Sequence, residues 1–190
     1  MSVSQAAYDN SRHGLLKVAA AGLLTGVLTP LFQPLIDKIA GSPGDLRIAL
    51  LALPFAILVF ILVRRNAANP WWAALAAAVL TMLAFVCAVN AAIWIDGQLP
   101  GATKPVRNIF AGFTAGFVGS GLMALGLCLL PTRPRDITAW LPMLIIGTVA
   151  GALLAVDNAL DLDLLSVLYP VWQAGVAAGL AMALQRSNIT

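Results

Sequence analysis

Residues 71–95 read WWAALAAAVLTMLAFVCAVNAAIWI, a segment without a single charged side chain. A bilayer whose hydrocarbon core is ~30 Å thick is crossed by an α-helix of ~20 residues, so this segment is long enough to span it. Trp71, Trp72 and Trp94 stand near its two ends, where membrane helices place aromatic side chains at the lipid–water interfaces. The segment is therefore predicted to be a transmembrane helix.

The rest of the chain has the same character. It has 190 residues, 61% hydrophobic and 10% charged, and its mean hydropathy is +0.91. Soluble domains carry roughly 25% charged residues, so lipid is the solvent that suits this composition. The predicted spans are residues 15–35, 46–63, 71–95, 106–130, 137–156 and 164–184. We predict an all-α, polytopic membrane bundle of six transmembrane helices that forms a single domain over residues 1–190.

The first span has a rival interpretation as a cleaved signal peptide, because Arg12 and Lys17 precede its apolar run. No small-x-small cleavage site follows that run, and Pro30 and Phe32 stand there instead. We expect the helix to be retained, and to kink or end near its prolines.

The basic residues are divided unequally between the two sides of the membrane. With the N-terminus inside, seven of the 11 lysines and arginines are cytoplasmic and four are external. The inner set is Arg12, Lys17, Arg64, Arg65, Arg133, Arg135 and Arg186, and the outer set is Lys38, Arg47, Lys104 and Arg107. Because cytoplasmic loops carry the excess of positive charge, we expect a plasma (inner) membrane protein with both termini in the cytoplasm.

Small residues recur at every fourth position in four of the spans. They are Gly22 and Gly26, then Gly112, Gly116, Ser120 and Ala124, then Gly147, Gly151 and Ala155, and finally Gly175, Gly179 and Ala183. Such stripes let helix backbones approach closely, since lipid supplies no hydrophobic drive between helices. We predict packing within one protomer, with a homo-oligomer seam or docking into a larger membrane complex as the alternative. The second span has no glycine and is expected to face lipid.

Two weak matches suggest an internal repeat. The pattern basic-x3-Ala-Gly-x3-Gly occurs at residues 17–26 and again at 107–116, and Leu-Pro pairs occur at 53–54 and 141–142. Two three-helix halves would cross the membrane in opposite directions, as in the inverted repeats of many transporters. Chance matching among abundant alanines and glycines is the alternative to this 3+3 inverted repeat.

Side chains suited to catalysis or metal binding are scarce. His13 is the only histidine, too few for bis-histidine haem or a histidine-rich metal site. Ser120 has no histidine within the membrane to activate it, and the aspartates at 157, 161 and 163 lack the spacing of a calcium loop. We predict no enzyme, no catalytic residues, no cofactor and no metal site, and the scattered basic residues indicate no nucleic-acid partner.

Polar side chains inside the spans, or at their rims, are the candidates for contacting a ligand, because lipid makes buried polar groups costly. Asn90 and Gln173 are amides that can both donate and accept hydrogen bonds. Thr114 lies in the outer half of its span, and Asp157 and Asn158 lie near the outer rim. These five residues are the candidates for lining an outward-facing cavity that binds a ligand. The interpretation favoured for the polar side chains within the spans is that each satisfies a neighbouring helix, for ~0.6 kcal/mol.

These features lead to two functional hypotheses. No ionisable side chain is predicted at the bilayer centre, which argues against proton-coupled transport and, less strongly, against charged substrates. The first hypothesis is a transporter, channel or membrane solute-binding subunit for a small neutral or weakly polar solute, surrounded by membrane lipids. The second is a non-catalytic accessory or assembly subunit of a larger membrane complex. A polar cavity favours the first, whereas a solid interior with an exposed glycine-rich face favours the second.

The orientation is tested by cysteine labelling. Arg64→Cys and Arg133→Cys, each with Cys87 and Cys128 replaced by serine, are expected to stay unlabelled when intact cells meet a membrane-impermeant maleimide, because both arginines belong to the inner set. Lys104→Cys, from the outer set, is the positive control. Ready labelling at both positions would contradict the predicted orientation.

Overall fold

The computed structural model describes residues 3–40, 44–65, 69–129, 131, 137–162 and 165–186. Within those ranges all regular secondary structure is helical. The elements are α1 (Val3–Leu31), α2 (Gln33–Ala40), α3 (Asp45–Leu51), α4 (Leu53–Arg65), α5 (Trp71–Gln98), α6 (Lys104–Leu127), a 3-10 helix (Ile137–Trp140), α7 (Leu141–Gly151), α8 (Leu154–Ala159) and α9 (Leu168–Arg186). The predicted positions of Arg133, Arg135 and Asp163 lie outside the described residues.

Membrane-spanning length is reached by four helical stretches of the described chain. They are Arg12–Leu31, Trp71–Gln98, Lys104–Leu127 and Thr138–Ala159. The pair α3 and α4, bent by 54°, makes a fifth if it counts as one broken span. α9 has 19 residues and is not among these stretches. The fold is compatible with an integral membrane protein, while the sixth span stays a prediction.

The longer helices pack as a ring. Each of α1, α4, α5, α6, α7 and α9 contacts the next one in that order, and α9 packs back against α1. Buried side chains from several helices fill the centre, among them Val59, Met123, Met143 and Leu180. This dense interior supplies the dispersion contacts that hold helices together in lipid.

The expectation that the second span faces lipid is wrong for much of its surface. On α4, Phe55, Val59 and Val63 are buried in the core, whereas Ile57 and Ile61 are exposed. Residues four apart share one side of a helix, so α4 has a buried side and an exposed side although both are apolar. The absence of glycine excludes close backbone contact, but it does not exclude burial.

The glycine stripes pack within the protomer, as predicted. A Cβ atom added at Gly26 of α1 would lie 2.3 Å from the Pro170 Cα atom of α9. A Cβ atom at Gly112 of α6 would lie 2.1 Å from the Gly151 carbonyl oxygen of α7. Atoms cannot approach so closely, so these two helix pairs require glycine at the contact.

The two halves of the proposed repeat use their matching glycines differently. Gly22 and Gly26 of α1 contact α9, whereas Gly112 and Gly116 of α6 contact α7. In an inverted repeat α6 would correspond to α1, and α5 would correspond to α9. The glycines of α6 would then contact α5. The inverted repeat therefore stays a prediction.

The contact between α6 and α7 is tested by a matched pair of substitutions on α6. Gly116→Ala is expected to destabilise the protein by about 1–3 kcal/mol, because its Cβ atom would lie 2.2 Å from the Gly147 carbonyl oxygen. Gly121→Ala should be neutral or stabilising by up to ~1 kcal/mol, because its Cβ atom meets only Leu144 at 3.8 Å and alanine favours the helix. Thermal unfolding in detergent measures both, and equal unfolding temperatures would contradict the close contact.

Candidate ligand cavity

A half-open cavity of about 220 Å³ lies between α5, α6, α7, α8 and α9, towards the end of the bundle where α5 ends and α6 begins. We call this the α5–α6 end. Its walls come from α5, α6, the junction of α7 with α8, and the first turns of α9. On the predicted topology this end faces the outside of the cell.

One wall of the cavity is made of small residues. It contains Gly112, Ala115 and Gly116 of α6 and Gly151 of α7. All three glycines belong to the contact between α6 and α7 described above. Added Cβ atoms at these glycines would point into the contact between α6 and α7, so the glycines present backbone atoms to the cavity.

The wall that belongs to α9 is aromatic. Tyr169 approaches Phe85 of α5 with 5.9 Å between ring centroids, and Trp172 meets Phe55 of α4 edge-on at 5.7 Å with 64° between the ring planes. Trp172 also reaches α6, since a Cβ atom added at Gly119 would lie 3.4 Å from its Cζ2 atom. The Trp172 ring is thus held from two sides and limits the depth of the cavity.

The α5 wall adds further apolar side chains, namely Ala88, Val89, Ala92 and Ile93. None of the described side chains that line the cavity is charged. Tyr169 and Trp172 are the lining residues with hydrogen-bonding side chains. The chemistry available here is apolar contact and aromatic stacking, with a phenol and an indole N–H as polar groups.

Asn90 and Gln173 do not share a cavity. Asn90 is exposed, and its amide donates to the Asp45 carboxylate (Nδ2 to Oδ1, 3.2 Å) and to the Val86 carbonyl (3.0 Å). Gln173 is 1% exposed, and its amide donates to the Thr29 hydroxyl (2.8 Å). Successive helix residues are turned by about 100°, so Asn90 points to α3 while its neighbour Val89 lines the cavity.

The Gln173 contact joins two helices of the ring. The Thr29 hydroxyl accepts from Gln173 and donates to the Thr25 carbonyl, 3.0 Å away. The Gln173 Oε1 atom is buried, with no hydrogen-bond donor in the described part of the chain. This polar chain fixes α9 against α1 beside the Gly26 contact.

Asp157 caps α9. Its carboxylate accepts hydrogen bonds from the Ser166 hydroxyl and from the backbone N–H groups of Val167 (2.8 Å) and Leu168 (3.3 Å). The free N–H groups and the positive end of the helix dipole favour a carboxylate at this position. Asn158, the next residue, is exposed.

Thr114 lies away from the cavity. It is one turn from Phe110 and from Phe117, which are 55% and 59% exposed on the outer surface of α6. The structure therefore brings none of the five predicted residues to the cavity wall, and their role in ligand binding stays a prediction. The residues that form the cavity are mostly aromatic, small or aliphatic. Such residues occur throughout the spans, so the sequence does not distinguish those that line the cavity.

No protein-family model, curated protein or solved structure matches this chain. The fold and the cavity define its class: a helical protein with apolar helices of membrane-spanning length and a half-open cavity whose described lining is uncharged.

The capping role of Asp157 is tested against its neighbour. Asp157→Ala is expected to lower the free energy of unfolding by about 1–3 kcal/mol, because three donors lose a charged acceptor. Asn158→Ala should change it little, since this side chain is exposed. Thermal unfolding in detergent without added ligand is the measurement. An unchanged unfolding temperature of Asp157→Ala would show that the carboxylate does not stabilise the start of α9.

Proposed function

We propose that the protein is a membrane-embedded solute-binding subunit or small transporter that holds a small, uncharged and mainly apolar molecule in the cavity between α5, α6 and α9. The observation that carries this proposal is the cavity itself: about 220 Å³ between α5, α6 and α9, with no charged side chain among the described residues that line it.

The size of the cavity fits a small organic molecule. An apolar cavity of ~150 Å³ in another protein stays dry and binds benzene, and this cavity is larger. Water is poorly accommodated, because an ordered water needs two to four polar partners and the lining offers few.

Access is favoured from the α5–α6 end. Ile93, at the rim of the cavity, is 63% exposed, whereas Trp172 limits the opposite end. On the predicted topology the molecule enters from the outer side of the membrane. The sequence suggested a neutral or weakly polar solute on the basis of Asn90 and Gln173. Because these two amides donate to Asp45 and Thr29 on other helices, we propose a mainly apolar ligand instead.

The alternative of an accessory subunit has less support. That hypothesis predicts a solid interior and an exposed glycine-rich face. Gly22, Gly26, Gly112 and Gly116 are instead buried between helices of the same protomer, and the interior contains a cavity. Binding of a small molecule therefore accounts for more of the geometry.

Binding is tested with 2-ethylnaphthalene as a probe and two phenylalanine variants of α5. Ala92→Phe puts a ring into the cavity, whereas Ala91→Phe, at the adjacent position, lies outside its lining. With the probe well above its dissociation constant, wild type and Ala91→Phe should unfold about 5–10 °C higher in detergent. Ala92→Phe should show no such rise. Equal shifts in the two variants, or none in wild type, would contradict the proposal.

A further inference from the structure

The lining of the cavity combines two kinds of surface. Gly112, Gly116 and Gly151 give one wall that is mostly backbone. Tyr169 and Trp172 give the other, and the Trp172 ring is fixed edge-on by Phe55. A space bounded by a side-chain-poor wall and a fixed aromatic wall is filled best by a flat group, because aromatic rings gain from offset or edge-on contact in addition to their buried area.

The polar groups of the lining are mainly donors. The Trp172 indole N–H only donates a hydrogen bond, and the Tyr169 hydroxyl donates or accepts. An occupant with an acceptor oxygen satisfies such a set, whereas one that carries only donors leaves the indole N–H without a partner. A charged occupant would meet no opposite charge on the lining, and an unpaired charge in an apolar site is very costly.

We infer that the cavity selects a flat aromatic or conjugated ring that carries an uncharged acceptor oxygen, as in an aryl ketone or a quinone. The inference rests on the proposed function and deepens it by naming the ligand class. Tyr169 and Trp172 contact the ring and donate to its oxygen, and the glycines of α6 and α7 let the ring approach the backbone. A saturated alkyl chain can fill the same volume but provides neither an acceptor nor a flat ring.

Three probes separate these features. 2-Acetonaphthalene is flat and has a ketone, 2-ethylnaphthalene is flat without an acceptor, and 2-acetyldecalin has the ketone on a saturated, thicker ring system. Affinity for the purified full chain is measured by equilibrium dialysis against protein-free micelles, which corrects for probe taken up by detergent. We expect 2-acetonaphthalene to bind about tenfold more tightly than either of the others, since one net hydrogen bond or one aromatic contact is worth about that factor.

The variant Tyr169→Phe/Trp172→Phe keeps a ring at both positions and removes both donors. It is expected to bind the ketone and the ethyl compound equally. If this variant does not fold, the three-probe comparison on the wild type and the Tyr169→Phe variant decides, with the ketone preference reduced in the latter.

The outcomes distinguish this inference from the proposed function. Equal affinity of wild type for 2-acetonaphthalene and 2-ethylnaphthalene would overturn the requirement for an acceptor oxygen. Equal affinity for 2-acetonaphthalene and 2-acetyldecalin would overturn the requirement for a flat ring. In both cases the cavity would still bind an apolar molecule, and Ala92→Phe would still block it. No binding of any probe to wild type would overturn the inference and the proposed function together.

Discussion

The contact between the backbones of α6 and α7 is the constraint on which the rest of the structure depends. Gly112 faces Gly151 and Gly116 faces Gly147, each where a methyl group would overlap a carbonyl oxygen. Lipid gives helices no hydrophobic reason to associate, so such close packing has to supply the attraction. Gly112, Gly116 and Gly151 of this contact also line the cavity. The residues that hold the two helices together therefore form part of the candidate site.

α9 has two sides with different tasks. One side meets α1, where Gln173 bonds to Thr29 beside the close Gly26 contact. The other side carries Tyr169 and Trp172 into the cavity. Because polar bonds and a close contact set the position of the helix, the aromatic wall is positioned by groups that do not touch the ligand site.

The sequence was sufficient for the class of fold, but not for which side of each helix is buried. Long uncharged segments predicted membrane helices, and glycines four apart predicted the close contacts. On α4 every residue from Leu53 to Val63 except the proline is apolar, so periodicity carries no information about its buried side. The partner of Gln173 is 144 positions away, and no local pattern reveals it. Trp172 in the cavity and Trp94, 63% exposed, look alike in the sequence.

The break between α3 and α4 affects the surrounding lipid. α4 has 13 residues and a length of ~20 Å by helical rise, less than the ~30 Å of hydrocarbon that a bilayer presents. α5, with 28 residues, exceeds that thickness. α3 turns away at 54° and is tied to α2 by the Arg47–Asp37 ion pair and to α5 by Asn90. Hydrophobic mismatch therefore differs between α4 and α5, and a short span of this kind is accommodated by local thinning of the bilayer, by snorkelling of flanking side chains or by oligomerisation.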